Sequence, residues 1–503
     1  MHALKTQRVK TVAGVAAAVL PFINALGNGF TVDDAYLVLG NRDIRSLSNL
    51  GSFFVTAWGG SIDSQFYGAM NAGYYRPLSM TLYAFEYKFF GYVPALWRAL
   101  SVALHALISL LTYAIARRLA ADTSTANDAG RSKNEADGSS ALVAALIFAV
   151  HPVHSEVLNP ATYQTTLLAT LAVLCAFRLH LQPFSFTRAC LIALALAAGI
   201  LSKESALSAP LLLPLYDLLL RPNRERRRYH LPTYLLSAGV CIAYLAVRFS
   251  LLQSGGYSFF GEAPARFIVP TMLKVVVLYG QLLLFPLLLC PFYDWYLVPP
   301  TDSLLDPGAL GGLVVLVLLC PVAFVLWRRG RGTALFALAW VVVALLPVSQ
   351  VVPLLNVAAE RFLYLPSVGF CLLLATFAQW DGRGKRSFLI LLLTLFALRT
   401  AARNPDWRDD ITLNLAFARD FPQTPTPHIN LTRHYRKLGD RASALRHSQR
   451  ARKLDPGLAG PWRDSVQLLN ELGRTADARQ LVREAEAAGI AIHAPPGDAG
   501  ASQ

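Results

Sequence analysis

The stretch TVAGVAAAVLPFINALGNGFTVDDAYLVLGNRDIR, residues 11–45, decides how the chain is read. Residues 11 to 27 hold no charge, and a helix needs about 20 apolar residues to cross the roughly 30 Å hydrocarbon layer of a bilayer. Asp33 and Asp34 follow a few residues later. Two adjacent carboxylates at a membrane exit are costly to desolvate and well suited to taking a proton or binding a cation. The stretch therefore describes a membrane helix that opens onto chemistry.

Composition extends that reading to the rest of the chain. Of 503 residues, 54% are hydrophobic and 15% charged, with mean hydropathy +0.41. That is too much apolar surface for a soluble core, and it specifies an all-α, polytopic membrane bundle. The six cysteines, Cys175, Cys190, Cys241, Cys290, Cys320 and Cys371, each lie in or beside an apolar run. They read as small packing residues, not as a disulfide framework or metal ligands. The net charge of +15 falls mostly in short clusters between apolar runs and in the C-terminal part, which fits membrane orientation and lipid headgroups and not nucleic acid. The first apolar run lacks a small-residue cleavage site, so it reads as a retained span.

Spans are expected near 11–27, 96–117, 141–157, 160–180, 231–250, 308–327, 333–352, 363–380 and 386–402. Residues 189–220 are broken by Lys203, Glu204, Pro210 and Pro214, as two short spans meeting at a polar tip would be, and 268–290 is either a span or a helix that enters and leaves on one face. Lys5, Arg8 and Lys10, Arg117 and Arg118, Arg178 and Arg188, the RPNRERRR run from Arg221, the WRRGR run from Trp327, and Arg383, Lys385 and Arg386 should all face the cytoplasm. Compliance of every cluster requires 189–220 to cross twice and 268–290 to make no net crossing, which gives eleven spans. The Asp33 loop, HPVHSE, Lys203, FYDWY, Glu360 with Arg361 and the C-terminal region then share the outer face.

At NPDWRDD, from Asn404, the composition becomes polar and rich in Arg and Ala. Residues beyond it match themselves at a shift of 34: His428 with Trp462, Tyr435 with Leu469, Gly439 with Gly473, Ala444 with Ala478, Ala451 with Ala485. This is the period of the tetratricopeptide helix pair. A membrane domain over 1–403 and a repeat domain over 404–503 are expected, with a degenerate repeat across 405–424. So few repeats lack a self-sufficient core and need the membrane domain or a partner to lean on.

Six segments, VDDAYLVLGNRDIR, YYRPLSMTLYAFEYKFFG, LIFAVHPVHSEV, LSKESALSAPLLLPLYD, AERFLYLPSVGF and NPDWRDD, occur in this order. In them the chain resembles the transmembrane and tetratricopeptide-repeat-containing O-mannosyltransferase family and, more broadly, the GT-C glycosyltransferases. It departs from that family after HPVHSE, where NPATYQTT stands in place of a Gly-Arg-Lys segment, and in having fewer repeats. The resemblance implies a transferase that takes mannose or another hexose from a polyprenyl-phosphate donor to a protein or glycan acceptor, with an acid of the first outer loop as catalytic base.

Such chemistry needs a base for the acceptor hydroxyl and cations for the leaving phosphate. Asp33 and Asp34 are the catalytic candidates, against the plainer reading of acids capping a surface helix. Arg76, Lys203 and Arg361 are the candidate phosphate ligands, against a headgroup anchor for Arg76 and structural ion pairs with Glu204 and Glu360 for the other two. His151, His154 and Glu156, with Glu204, Glu360 and Tyr364, are expected to line the substrate pocket. Pro152 breaks the helix that a zinc site at HPVHSE would need, so the metal reading left is a divalent cation at Asp33 and Asp34. Asp294 and Trp295 of FYDWY offer a sugar-stacking face or an interfacial anchor.

The competing functions are a lipid-linked oligosaccharide ligase or polymerase and a non-catalytic scaffold that recruits partners through its repeats. A scaffold has no need for Lys203 in apolar sequence, and a transporter would carry an internal repeat in the membrane part. The low Lys content and short repeat domain point to a bacterial inner membrane with a periplasmic site, or to the endoplasmic reticulum membrane if the chain is eukaryotic.

Overall fold

The computed structural model describes residues 2–56, 74–127, 133–221, 229–251, 259–261, 264–352, 354–377 and 383–492. The basic run after Arg221 and the end of the C-terminal region lie outside these residues. The described chain is helical, with one isolated antiparallel bridge, Tyr293 to Ala358, and no strand.

The membrane part runs α1 (His2–Val19), α2 (Pro77–Phe90), α3 (Pro94–Asn127), α4 (Lys133–Val150), α5 (Ser155–Leu158), α6 (Gln164–His180), α7 (Phe186–Ser202), α8 (Ala209–Leu220), α9 (Leu231–Leu251), α10 (Ile268–Leu284), α11 (Pro307–Arg328), α12 (Gly332–Leu345), α13 (Tyr364–Phe377) and α14 (Arg383–Arg403). Among the described residues, seven segments are long and apolar enough to cross a bilayer, eight if the pair bent by 47° at His151–Pro152 is one span. The chain is thus built as a multi-pass membrane protein. The other expected spans fall on α7, α8, α12 and α13, of 17, 12, 14 and 14 residues. Charge and proline bound these shorter helices: Lys203 ends α7 in extended backbone, and Pro366 stands in the first turn of α13, where a proline is tolerated. Ala265–Leu284 also has spanning length. It lies along a buried cluster in which its Val275, Tyr279, Leu282 and Leu283 meet Phe259, Tyr293, Val298, Val357 and Phe417.

Local chemistry fixes the helix ends and their packing. Asp306 caps α11 through the Gly308 and Ala309 amides, with Pro307 at the first helical position. A Cβ on Gly312 would come within 2.0 Å of the Leu273 carbonyl, and one on Gly369 within 2.8 Å of the Ala337 carbonyl. Only glycine allows such approaches, which is how membrane helices gain contact where lipid is as apolar as leucine.

After α14, α15 (Asp410–Asp420) leads into two helix hairpins, α16 (Thr426–Lys437) with α17 (Arg441–Leu454) and α18 (Ala459–Glu471) with α19 (Thr475–Ala487). Gly439 and Gly473 turn the two hairpins at φ of +78° and +76°. Ala444, Ala451, Ala478 and Ala485 are buried where the paired helices meet. Within 405–424 a 3₁₀ turn, Asn404–Trp407, precedes one α-helix, α15, and there is no hairpin.

The polar segments named from the sequence gather at one end of the bundle. Asn28 bonds Asn159 at 2.7 Å and the Asn404 carbonyl at 2.8 Å, and Cys290 N donates to Glu360. Tyr296 and Asp294 of FYDWY bond Asp455 and Thr426 of the hairpins. The hairpin region is therefore seated on the end that carries the acids.

Candidate active site

The loop of Asp33 and Asp34 is held before either carboxylate is considered. Buried Arg98 of α3 donates to the Asn28 and Gly29 carbonyls, and Asn28 ties the loop to Asn159 and Asn404. A 3₁₀ turn at Pro21 and a one-turn π-helix, Ala35–Leu39, bracket it.

The two acids have different surroundings. Asp34 is fully buried, and its carboxylate accepts from Thr31 N at 3.2 Å, Ala161 N at 3.0 Å, and Thr162 N and Oγ1 at 2.8 Å each. Burial lifts its pKa to about 6 against those donors. Four donors use up the oxygens, so the pair does not fit a shared divalent cation. Asp33 is half-buried. Burial raises its pKa above the ordinary carboxylate value, opposed by Arg361, Arg76 and a hydrogen bond with Tyr163. A partly open carboxyl with a raised pKa is what proton abstraction near neutral pH requires.

Two arginines face Asp33, and Lys203 stands beside them. Arg361 pairs with Glu156 through its side chain and through its amide at 2.5 Å, and its guanidinium lies over the Tyr163 ring at 4.6 Å. Arg76, just before α2, donates from Nε and a terminal nitrogen to one Glu204 oxygen at 3.0 and 2.8 Å, and it lies over Tyr74 at 4.0 Å. The second Glu204 oxygen faces Tyr244 at 3.5 Å. Lys203 is 7% exposed. Among the described residues, its ammonium bonds the Thr166 hydroxyl at 2.6 Å and no carboxylate.

These partners correct two pairings taken from sequence adjacency. Lys203 does not pair with Glu204, because the extended backbone at Lys203 turns consecutive side chains apart; Arg76 takes Glu204 instead. Arg361 does not pair with Glu360 but with Glu156, across 205 residues. Glu360 points away, to Cys290 N and the Tyr293 hydroxyl, and burial moves its pKa up to about 8.

The remaining residues expected in the pocket stand behind it. His151 Nε2 meets the Leu283 carbonyl at 3.0 Å and His154 Nε2 meets Ser367 at 2.9 Å, both histidines fully buried. Tyr364 bonds His105 at 2.7 Å. Trp295 packs on Phe259 at 5.8 Å between ring centroids and is 57% exposed. Sequence reasoning passed over Tyr163, Thr162 and Thr166, which all lie in or beside NPATYQTT; the signal was the density of polar groups at the mouth of an apolar run. It also passed over the group at the far end of the bundle, where His180, Asp217 and His230 bring ligand atoms within 4.8 Å of one another. Arg221 fills that group, at 2.8 Å from Asp217 and 2.7 Å from His230.

No family model matches the chain. Its relatives include Protein O-mannosyl-transferase Tmtc3 of Drosophila melanogaster, 26% identical over 95% of this chain and 59% of that protein, and Protein O-mannosyl-transferase TMTC4 of Homo sapiens, 27% identical over 87% of this chain and 65% of that protein. A third, Protein O-mannosyl-transferase F38B6.6 of Caenorhabditis elegans, is 24% identical over 88% of this chain and 62% of that protein. The chain spans about three fifths of the length of these relatives. All three come from animals and lend the bacterial expectation no support. Along nearly its whole length the chain is thus similar to proteins named protein O-mannosyl-transferases.

Proposed function

We propose that this chain is a membrane glycosyltransferase of the GT-C type, moving mannose or another hexose from a polyprenyl-phosphate donor to a protein hydroxyl. One observation carries the reading: half-buried Asp33 faces Arg76 and Arg361, with Lys203 beside them, at one end of the bundle. Asp33 takes the proton of the acceptor hydroxyl as its oxygen bonds to the anomeric carbon. The bond from that carbon to the phosphate oxygen breaks, and the phosphate leaves with one more negative charge than it brought as a diester. Arg76 and Arg361, held by Glu204 and Glu156, supply fixed positive charge for that gain without reorganising, while burial and the two arginines push the Lys203 pKa well down, so that an incoming phosphate anion favours its charged form. Lys203, with a hydroxyl as partner, is the cation with most to gain from an incoming anion.

The positive-inside rule puts this end on the lumenal or periplasmic side. The two hairpins, read as tetratricopeptide repeats over 404–503, then stand beside the site as a holder for the acceptor polypeptide, and 1–403 is the transferase domain. The test is transfer of radiolabelled hexose to a membrane-extract acceptor by the purified full chain, from polyprenyl-phosphate hexoses and from nucleotide sugars in parallel. Transfer from a polyprenyl-phosphate hexose supports the reading. Transfer from nucleotide sugars alone, or from neither, contradicts it.

A further inference from the structure

The residue before Asp33 is in an unusual state. Val32 has φ of +53°, a region that costs any L-residue and is a true outlier for a β-branched one. Such a conformation persists only where its surroundings over-determine it. The Val32 amide donates to Asp410 Oδ1 at 2.8 Å, across 378 residues. Three residues earlier, the Gly29 amide donates to the Arg408 carbonyl at 2.8 Å, at a place where a Cβ on Gly29 would stand 3.2 Å from that carbonyl. Both bonds come from the segment that opens the C-terminal region. Within that segment Asp409 caps α15 through the Thr412 amide, so the neighbouring Asp410 side chain is not spent on the cap. Asn404 anchors the same segment to the Pro21 carbonyl and to Asn24, each at 2.8 Å.

We propose that Asp410 is a positioning residue: by accepting from the Val32 amide it holds Val32 in left-handed backbone and so aims Asp33. The segment that leads into the hairpins is thereby coupled to the base through the Asp410–Val32 hydrogen bond. The inference rests on Asp33 being that base. The charged and titratable groups facing Asp33 are Arg361, Arg76, Tyr163 and Asp410, with Tyr36, Tyr74 and Tyr83 close by. Asp410 is the acid among them that raises the Asp33 pKa.

Three variants of the full chain test this. Asp410→Ala should lower kcat about ten- to a hundredfold, the scale of a reacting group displaced by about 1 Å, with the donor KM unchanged. Asp410→Asn keeps an acceptor oxygen but not the charge; it should stay within about threefold of wild type, and the acid limb of its pH profile should move to lower pH. Glycine adopts positive φ without strain, so Val32→Gly placed on Asp410→Ala should restore most of the lost kcat. A normal kcat in Asp410→Ala, or no rescue by Val32→Gly, overturns the proposal. Hydrogen exchange separates this from failure of the transferase reading: the Val32 and Asp33 amides should exchange faster in Asp410→Ala and as slowly as wild type in Asp410→Asn, whether or not any donor is turned over. Unchanged exchange in Asp410→Ala overturns the clamp by itself.

Discussion

The bundle holds a buried polar cluster near each end, and the two are built on opposite principles. At one end His180 and Tyr234 bond Asp217, while Arg221 reaches both Asp217 and His230. That group fastens α6, α8 and the start of α9 to one another, and an incoming ion would have to displace the Arg221 guanidinium. At the other end Arg76 and Arg361 have acids as partners, but Lys203 rests on a hydroxyl and Asp33 is half-buried. Buried charge alone therefore does not mark a catalytic centre. The mark is buried charge whose partners leave some of it unspent, held in place by neighbours that bond one another.

Lys203→Met should break the comparison most sharply on the functional side. Transfer should fall about a hundredfold or more, as when one preorganised donor to a developing anion is removed. Thermal stability should hold or rise, because a desolvated amino group without an acid is exchanged for an apolar chain of similar length. A Lys203→Met protein that melts early and transfers normally would place this lysine with the structural group. Asp217→Ala should give the reverse. Removing the buried acid strips His180, Tyr234 and the half-buried Arg221 of their shared partner and costs about 3 kcal/mol, while transfer per folded molecule stays close to wild type; thermal melts and active-fraction kinetics in detergent read the two effects separately.

A smaller effect sharpens the contrast inside the active end. Glu360 has a folded pKa of about 8, raised by burial above its ordinary value of 4.5. A group whose pKa is raised on folding contributes stability at low pH that is lost as pH climbs through the folded value. Wild type should therefore lose stability between about pH 5 and pH 8, and Glu360→Gln, neutral throughout, should lose less. The margin of the variant over wild type should widen across that window in melts at stepped pH. A constant margin would mean that Glu360 is already ionised in the folded protein.

Much of this was legible in the sequence because apolar run length and charge clusters report on a bilayer directly. The polar segments, separated by up to several hundred residues, are expected on one face, and at one end of the bundle Arg361 meets Glu156 and Asn28 meets Asn404. The shift of 34 became two hairpin turns of matching φ at Gly439 and Gly473. Partner choice was not legible. Adjacent Lys203 and Glu204, like adjacent Glu360 and Arg361, suggest pairs on paper, but local backbone turns neighbours apart and each arginine finds its acid across the fold. Nor could the sequence separate Asp33 from Asp34: the donors that fill Asp34 come from Ala161 and Thr162, and only folding brings them there.

That separation is the central claim, and one comparison tests it: hexose transfer and thermal stability of purified wild type, Asp33→Asn and Asp34→Asn. Asp33→Asn should keep its melting temperature and lose about a hundred- to ten-thousandfold in transfer, the range for loss of a general base. Asp34→Asn should melt lower, because an amide nitrogen then faces N–H donors and each donor left unsatisfied costs about 1–3 kcal/mol. Full transfer by Asp33→Asn, or a stable Asp34→Asn that has lost all transfer, would contradict the account.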